Sequence, residues 1–138
     1  MIRAATAADL PRLFEIRDGV GDTRFTDPKA VTAADAAWFL DNGPVWVWQE
    51  PDSAIAGFAA GDPRDGTVWA LFVAPGQDGK GIGRALLKAA CDSLRQAGYA
   101  VARLSTEPGS MGERHYRAAG WSAIGHSEKG ELVFQKPL

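Results

Sequence analysis

The chain has little with which to do covalent or metal-based chemistry. Its single cysteine, Cys91, excludes an internal disulfide and agrees with a reducing compartment; its two histidines, His115 and His126, do not form a paired metal-ligand spacing. No metal is expected. Cys91 falls mid-helix between Leu87 and Leu94, where a thiol reads as buried filler. Runs of one charge are missing as well: 15 Lys and Arg stand against 17 Asp and Glu, a formal net charge of -2. Neither nucleic acid nor an anionic membrane is an expected partner. No apolar stretch is long enough to span a bilayer, and Met1 to Thr6 lacks an apolar signal core, so the expected location is cytoplasmic. Repeats and low-complexity tracts are also lacking. What remains is 138 residues, 46% of them hydrophobic, enough to bury roughly two thirds of the unfolded surface in one core. A single domain over 1–138 is expected, and nothing in the composition stands against a homodimer.

Glycine is not scarce, and its placement is the most informative feature. From Val73 to Leu87 an apolar strand passes through Gly76, Gly79, Gly81 and Gly83 into an amphipathic helix. Glycines tolerate positive φ and let backbone N–H groups converge on one point, at which the following helix aims its positive end. That is an anion cradle suited to a phosphate-bearing ligand. A Walker A loop is excluded, because Gly79-Lys80 has Ala74 five residues before Gly79 and Gly81 where Ser or Thr should follow. The dinucleotide fingerprint fails too, since Arg84 stands where its third glycine belongs.

The remaining chain alternates strands and helices. A strand is expected at Ile2 to Ala5, and Thr6 with Asp9 signals the start of a helix carrying Leu10, Leu13, Phe14 and Arg17. Thr32 with Asp35 opens a second helix that stops at Asn42-Gly43; the Gly- and Asp-rich stretch between, Asp18 to Val31, reads as a mobile loop. Strands follow at Val45–Trp48, Ala54–Ala59 and Thr67–Ala74, the last apolar enough from Val68 to Val73 for burial on both faces. The helix Ile82 to Ala97 ends at Gly98, then come a strand Tyr99–Ser105, a short helix near Tyr116, and a closing pair at Trp121–Gly125 and Leu132–Gln135. Tryptophans on strands are core by default, but Trp69, beside the glycine loop, also admits a ligand-facing role.

The glycine run resembles the pyrophosphate loop of the GNAT superfamily of acyl-CoA-dependent N-acyltransferases: Gln or Arg, two residues, Gly, one residue, Gly or Ala. Gly81 and Gly83 match, whereas the Gln or Arg position falls on Asp78, a carboxylate that repels pyrophosphate unless it turns outward or caps the next amides. A second match lies at Glu113 to Trp121, similar to the family's aromatic pair with Tyr second, three residues, then Gly and an aromatic; His115 replaces the usual Phe and Tyr116 keeps its place. The resemblance implies an α/β (α+β) fold with a mixed, mostly antiparallel central sheet, helices on both faces, and splayed strands forming the acyl-CoA cleft. It further implies that Phe72 and Val73 offer backbone groups to the pantetheine arm and an oxyanion, and that Asp78, Gly79, Lys80, Gly81, Ile82, Gly83 and Arg84 hold the pyrophosphate. Acetyl-CoA is the implied co-substrate, a small-molecule or peptide amine the acceptor, and Tyr116 the group that meets the departing thiolate. The strand Thr67 to Phe72 carries no carboxylate to serve as base, so Glu107 is the best substitute, with Asp62 and Asp65 behind it or a water chain instead. Acceptor contacts are expected from Phe25 in the variable loop and from Trp69. Two other classes stay open: a non-catalytic acyl-CoA-binding module, and a nucleotide-binding domain.

Overall fold

The computed structural model describes residues 1–21, 24–77 and 79–138. Seven strands form one sheet: β1 (Ile2–Ala4), β2 (Trp46–Gln49), β3 (Ile55–Asp62), β4 (Thr67–Val73), β5 (Val101–Thr106), β6 (Ser122–His126) and β7 (Leu132–Pro137), in the order β1-β2-β3-β4-β5-β7-β6. Every neighbouring pair is antiparallel except β4 with β5, which is parallel. Four helices join them: α1 (Leu10–Gly19), α2 (Ala33–Asn42), α3 (Ile82–Gln96) and α4 (Met111–Ala118).

The helices lie on both faces because the central strands are apolar on both. Alternate residues of a strand point to opposite sides. Ala59 of β3 with Leu71 and Val73 of β4 meet Leu86, Leu87, Ala90 and Leu94 of α3. Phe58 and Ala60 with Ala70 and Phe72 meet Leu13 and Ile16 of α1 and Phe39 of α2. Each fully buried Leu, Ile or Phe contributes about 1.5–3 kcal/mol. Helix α3 sits unusually close to β3, and glycine makes room for it: a Cβ on Gly57 would lie 2.9 Å from Leu86 Cδ1, and one on Gly61 2.6 Å from Leu94 Cγ.

The start signals resolve as read, with one refinement. The Thr6–Asp9 capping box opens a short 3-10 turn, Ala7–Asp9, that runs into α1, while Thr32 Oγ1 accepts the Asp35 N–H at 3.1 Å and begins α2. Of the stretch 18–31, expected from its composition to be a mobile loop, residues 22 and 23 lie outside the described residues; Pro28–Ala30 is a 3-10 turn, and Phe25 and Val31 are buried in the two opposite core clusters, so residues 25–31 pack on the sheet rather than standing off it.

Between β4 and β5 the sheet opens. Only Thr67 and Arg103 are in register, although both strands continue for several residues toward the glycine loop. No helix among the described residues is long and apolar enough to cross a membrane.

Candidate active site

The glycine loop leaves β4 and delivers the chain to α3. Gly79 and Gly81 adopt φ of +81° and +80°, the left-handed region that a side chain strains. Gly81 is the N-cap of α3, so among the described residues no cap side chain covers the first-turn N–H groups of Ile82, Gly83 and Arg84, which have no partner within the helix. Together with the positive end of a 15-residue helix these donors form an open anion site. Lys80 Nζ lies 3.0 Å from Gln77 Oε1 beside it, and Arg84 is exposed with no ion-pair partner among the described residues. Asp78 lies outside the described residues.

Strand β4 leads from this loop into the opening. The Ala74 N–H donates to Ala56 O at 2.7 Å, so by alternation Phe72 also directs its backbone groups to β3, and its ring is buried against α1 and α2. Phe72 therefore offers the opening nothing polar. Its neighbours Leu71 and Val73 face the seam instead, and the Leu71 N–H donates to Thr26 Oγ1 at 3.0 Å. Across the seam, Thr106 Oγ1 at the end of β5 donates to Phe25 O at 2.8 Å. Residues 25 and 26 thus sit between the parted strands and bond to both. The Phe25 ring meets His115 edge-on at 4.9 Å, and its Cζ comes within 3.7 Å of where a Gly83 Cβ would stand.

Helix α4 supplies the second motif. Ser110 caps it by accepting the Glu113 N–H at 3.1 Å, and Trp121 packs on Tyr116 at 5.9 Å between ring centres. Tyr116 is 1% exposed, and its hydroxyl lies near the Thr26 side chain. Burial, reinforced by nearby Cys91, pushes the phenol well above its ordinary range, against the influence of Thr26, which lowers it. The group is thus a neutral hydrogen-bond donor. His115, one residue earlier, leaves Nε2 buried without a partner among the described residues, its ring 3.7 Å from the Gly83 Cβ position. Burial first, and then the charge of Arg84, hold this imidazole below its usual value, so it is neutral at pH 7. The Cys91 thiol is pushed up to about 11 by burial and is no nucleophile.

Two adjoining cavities, about 610 and 470 Å³, open on the other side of residues 25–27. Glu107 lines the larger one beside Phe25, Thr26 and Ser110; Trp69 lines the smaller. Trp69 also stacks on Phe39 at 4.0 Å and donates its indole N–H to Ala30 O at 3.1 Å, which anchors the 3-10 turn. Glu107 is ion-paired to Arg24, and its side chain is 56% exposed. Tyr116 lines neither cavity, so the structure does not bring it together with Glu107; Thr26 lines both cavities and lies near Tyr116. Asp62 and Asp65 cap the β3–β4 turn at the opposite end of β4, bonded to Arg64 and Thr67. Among the described residues no three or more metal-binding side chains cluster.

Sequence reasoning missed three participants. Thr26 gives no local signal, because what it touches lies 45 residues away in β4. Leu71 was one residue from the expected donors, and only the strand's pairing parity reveals it. Glu131 lines both cavities without an ion pair among the described residues, placed there by the closing hairpin.

Known proteins bear on this arrangement directly. A ribosomal-protein-alanine N-acetyltransferase from Brucella melitensis is similar in structure with a TM-score of 0.78 and 27% identity, over 100% of this chain and 99% of that one. A putative acetyltransferase from Salmonella typhimurium, solved with its cofactor acetyl-CoA, gives 0.77 and 24% over 100% and 93%. A GNAT superfamily phosphinothricin acetyltransferase from Sinorhizobium meliloti, in complex with acetyl-CoA, gives 0.78 and 22% over 100% and 88%. No curated protein sequence matches the chain. The sequence pattern of the family described as acetyltransferase (GNAT) matches residues 10–120, from α1 past Tyr116. This chain belongs to the acetyltransferase (GNAT) family.

Proposed function

We propose that the protein transfers the acetyl group of acetyl-CoA to a primary amine of a small molecule or of an exposed peptide terminus. The observation that carries this reading is the seam. The backbone N–H groups of Leu71 and, by alternation, Val73 turn away from β3 toward the parted strands, where Leu71 bonds Thr26, on the strand that leads to the N-terminus of α3. The residues present suit the co-substrate: the amides of Ile82, Gly83 and Arg84, with Gly79, Gly81 and the charges of Lys80 and Arg84, hold the pyrophosphate. Val73 and the unpartnered His115 Nε2 meet the amides of the pantetheine arm. The Leu71 N–H faces the carbonyl oxygen on which charge grows as the amine attacks.

In this reading a C–N bond forms and the C–S bond breaks. The amine proton passes to a carboxylate of the acceptor cavity, and the CoA thiolate leaves toward Tyr116. With an ordinary phenol near 10 and a thiol near 8.5, full proton transfer to the thiolate is already uphill by about 2 kcal/mol. Burial of Tyr116 steepens it. Tyr116 therefore stabilises the thiolate by donating a hydrogen bond, and the proton comes finally from solvent. Four carboxylates line the larger cavity; Asp18 pairs with Arg17 and Asp27 accepts the Lys29 N–H, so Glu107, held by Arg24, and Glu131 are our candidates for taking the amine proton. Phe25 and Trp69 bound the acceptor space.

A second reading, acyl-CoA binding without turnover, draws on that same Arg24–Glu107 pair and on the absence of a carboxylate from β4. One experiment separates them. Thiol release from acetyl-CoA is followed across a panel of amines, alongside calorimetric binding of CoA: amine-dependent release supports transfer, binding without release supports the sensor, and no binding refutes both.

A further inference from the structure

Thr26 stands in the seam near the Tyr116 hydroxyl, and its Oγ1 accepts the Leu71 N–H at 3.0 Å. These are the two donors that the acetyltransfer reading assigns to the thioester, one for its carbonyl oxygen and one for its sulfur. Neighbouring contacts fix the segment there. The Phe25 carbonyl is held by Thr106 Oγ1, the Phe25 ring is 4% exposed against His115 and Tyr116, and the Asp27 carboxylate accepts the Lys29 N–H at 2.9 Å to start the 3-10 turn. A hydroxyl, with one O–H and two lone pairs, can accept the hydrogen bond that a carbonyl oxygen would otherwise take.

We propose that Thr26 is a specificity-determining residue of the acyl site, whose hydroxyl occupies the position of the thioester carbonyl oxygen and competes with it for the Leu71 N–H. This rests on the acetyltransferase reading. Acetyl-CoA must displace the hydroxyl from Leu71, whereas CoA, which has no carbonyl at its sulfur, leaves that bond in place. The hydroxyl so narrows the difference in affinity between substrate and product, and it covers the buried Leu71 donor whenever no acyl group is present. After transfer the hydroxyl returns to Leu71 as the acetylated acceptor leaves.

The test is calorimetric binding of acetyl-CoA and of CoA to the wild type, Thr26→Val and Thr26→Ser. Valine keeps the shape and removes the acceptor, so the Leu71 N–H is satisfied only by acetyl-CoA. The preference for acetyl-CoA over CoA should rise by about fivefold or more, the effect of leaving one buried donor unpaired in the competing states. Serine should keep the wild-type ratio. In parallel, the Leu71 amide resonance of the wild type should move on adding acetyl-CoA and stay nearly still with CoA, a measurement that stands even if the valine variant folds poorly. An unchanged preference in Thr26→Val, or an equal shift of the Leu71 resonance with both ligands, overturns the proposal while leaving acetyl transfer intact. Failure of the wild type to bind either ligand overturns both.

Discussion

Replacing Tyr116 by Phe should separate binding from chemistry. The ring is wedged among Phe25 at 6.4 Å, Trp121 at 5.9 Å and Phe134 at 6.1 Å, all contacts that a phenyl ring keeps. The hydroxyl lies near Thr26, which keeps the Leu71 N–H as its own partner at 3.0 Å. Even a whole net hydrogen bond is worth only about 0.5–1.5 kcal/mol, so a domain of this size should melt at most a few degrees lower, roughly 2–6 °C. Catalysis should suffer far more. Removal of a positioned donor to a leaving group typically costs about 10²- to 10⁴-fold, or roughly 3–5 kcal/mol of transition-state stabilisation. The loss should fall on kcat with the CoA dissociation constant nearly unchanged, because the interaction strengthens only as the sulfur gains charge. Initial-rate thiol release with the best amine, beside calorimetric CoA binding, measures both. Wild-type turnover in the Phe variant would remove Tyr116 from the mechanism, and joint loss of CoA binding would make it a packing residue.

Three further outcomes are expected. Gly81→Glu meets no atom within 4 Å of its Cβ but forces a side chain into φ +80°, so the free protein should fold with a penalty of about 1–3 kcal/mol while the thermal shift induced by CoA nearly vanishes; equal shifts in both proteins would refute the loop assignment. Glu107→Gln and Glu131→Gln compared in kcat/KM against pH should identify the base: one variant loses about 10²-fold or more and the acidic limb of its profile, and retention of both by both variants would point to water. Arg3 holds Asp9 through two bonds at 2.9 and 3.0 Å, which lowers the carboxyl from 3.8 to about 2 despite partial burial. A depressed folded value stabilises above the unfolded one, so Asp9→Asn should lower the melting temperature at pH 5–7, by the equivalent of up to about 1 kcal/mol, with the gap closing as pH falls from 4 toward 2. A pH-independent gap would contradict the linkage.

The parts of this fold that were legible in sequence are those governed by neighbours in the chain. Thr32 three residues before Asp35, the four-residue spacing of Leu86, Ala90 and Leu94, and Gly98 after the last turn each act within one or two helical turns. The loop and Tyr116 were recognisable because the residues that carry them are contiguous. The illegible parts are set by distant partners. Phe25 and Val31 are isolated apolar residues in a polar stretch, and no periodicity marks them as anchors to opposite faces of a sheet. Glu107 looked free because Arg24 lies 83 residues away. Which amides of β4 face the opening depends on pairing parity with β3, a choice that residue identities from Val68 to Val73, apolar throughout, do not encode.

The single register pair between β4 and β5 has a consequence for how the molecule breathes. At that closed end Arg103 N–H meets Gly66 O at 3.2 Å, and Tyr99 reaches back to Pro63 O at 2.9 Å. Beyond it the antiparallel blocks β1–β4 and β5–β7 share no rungs, like the covers of a book fastened at one edge, and are joined instead by side chains, since Ala59 and Leu71 share one core cluster with Ala102, Leu104 and Phe134. Each block's ladder opens with its own local free energy. Amide exchange should therefore show two protection plateaus, with β5–β7 at the lower one, since its outer strand β6 is exposed throughout. A ligand in the seam is bound by both covers, so it should merge the plateaus and raise protection in β7, which lies beyond β5 and away from the seam.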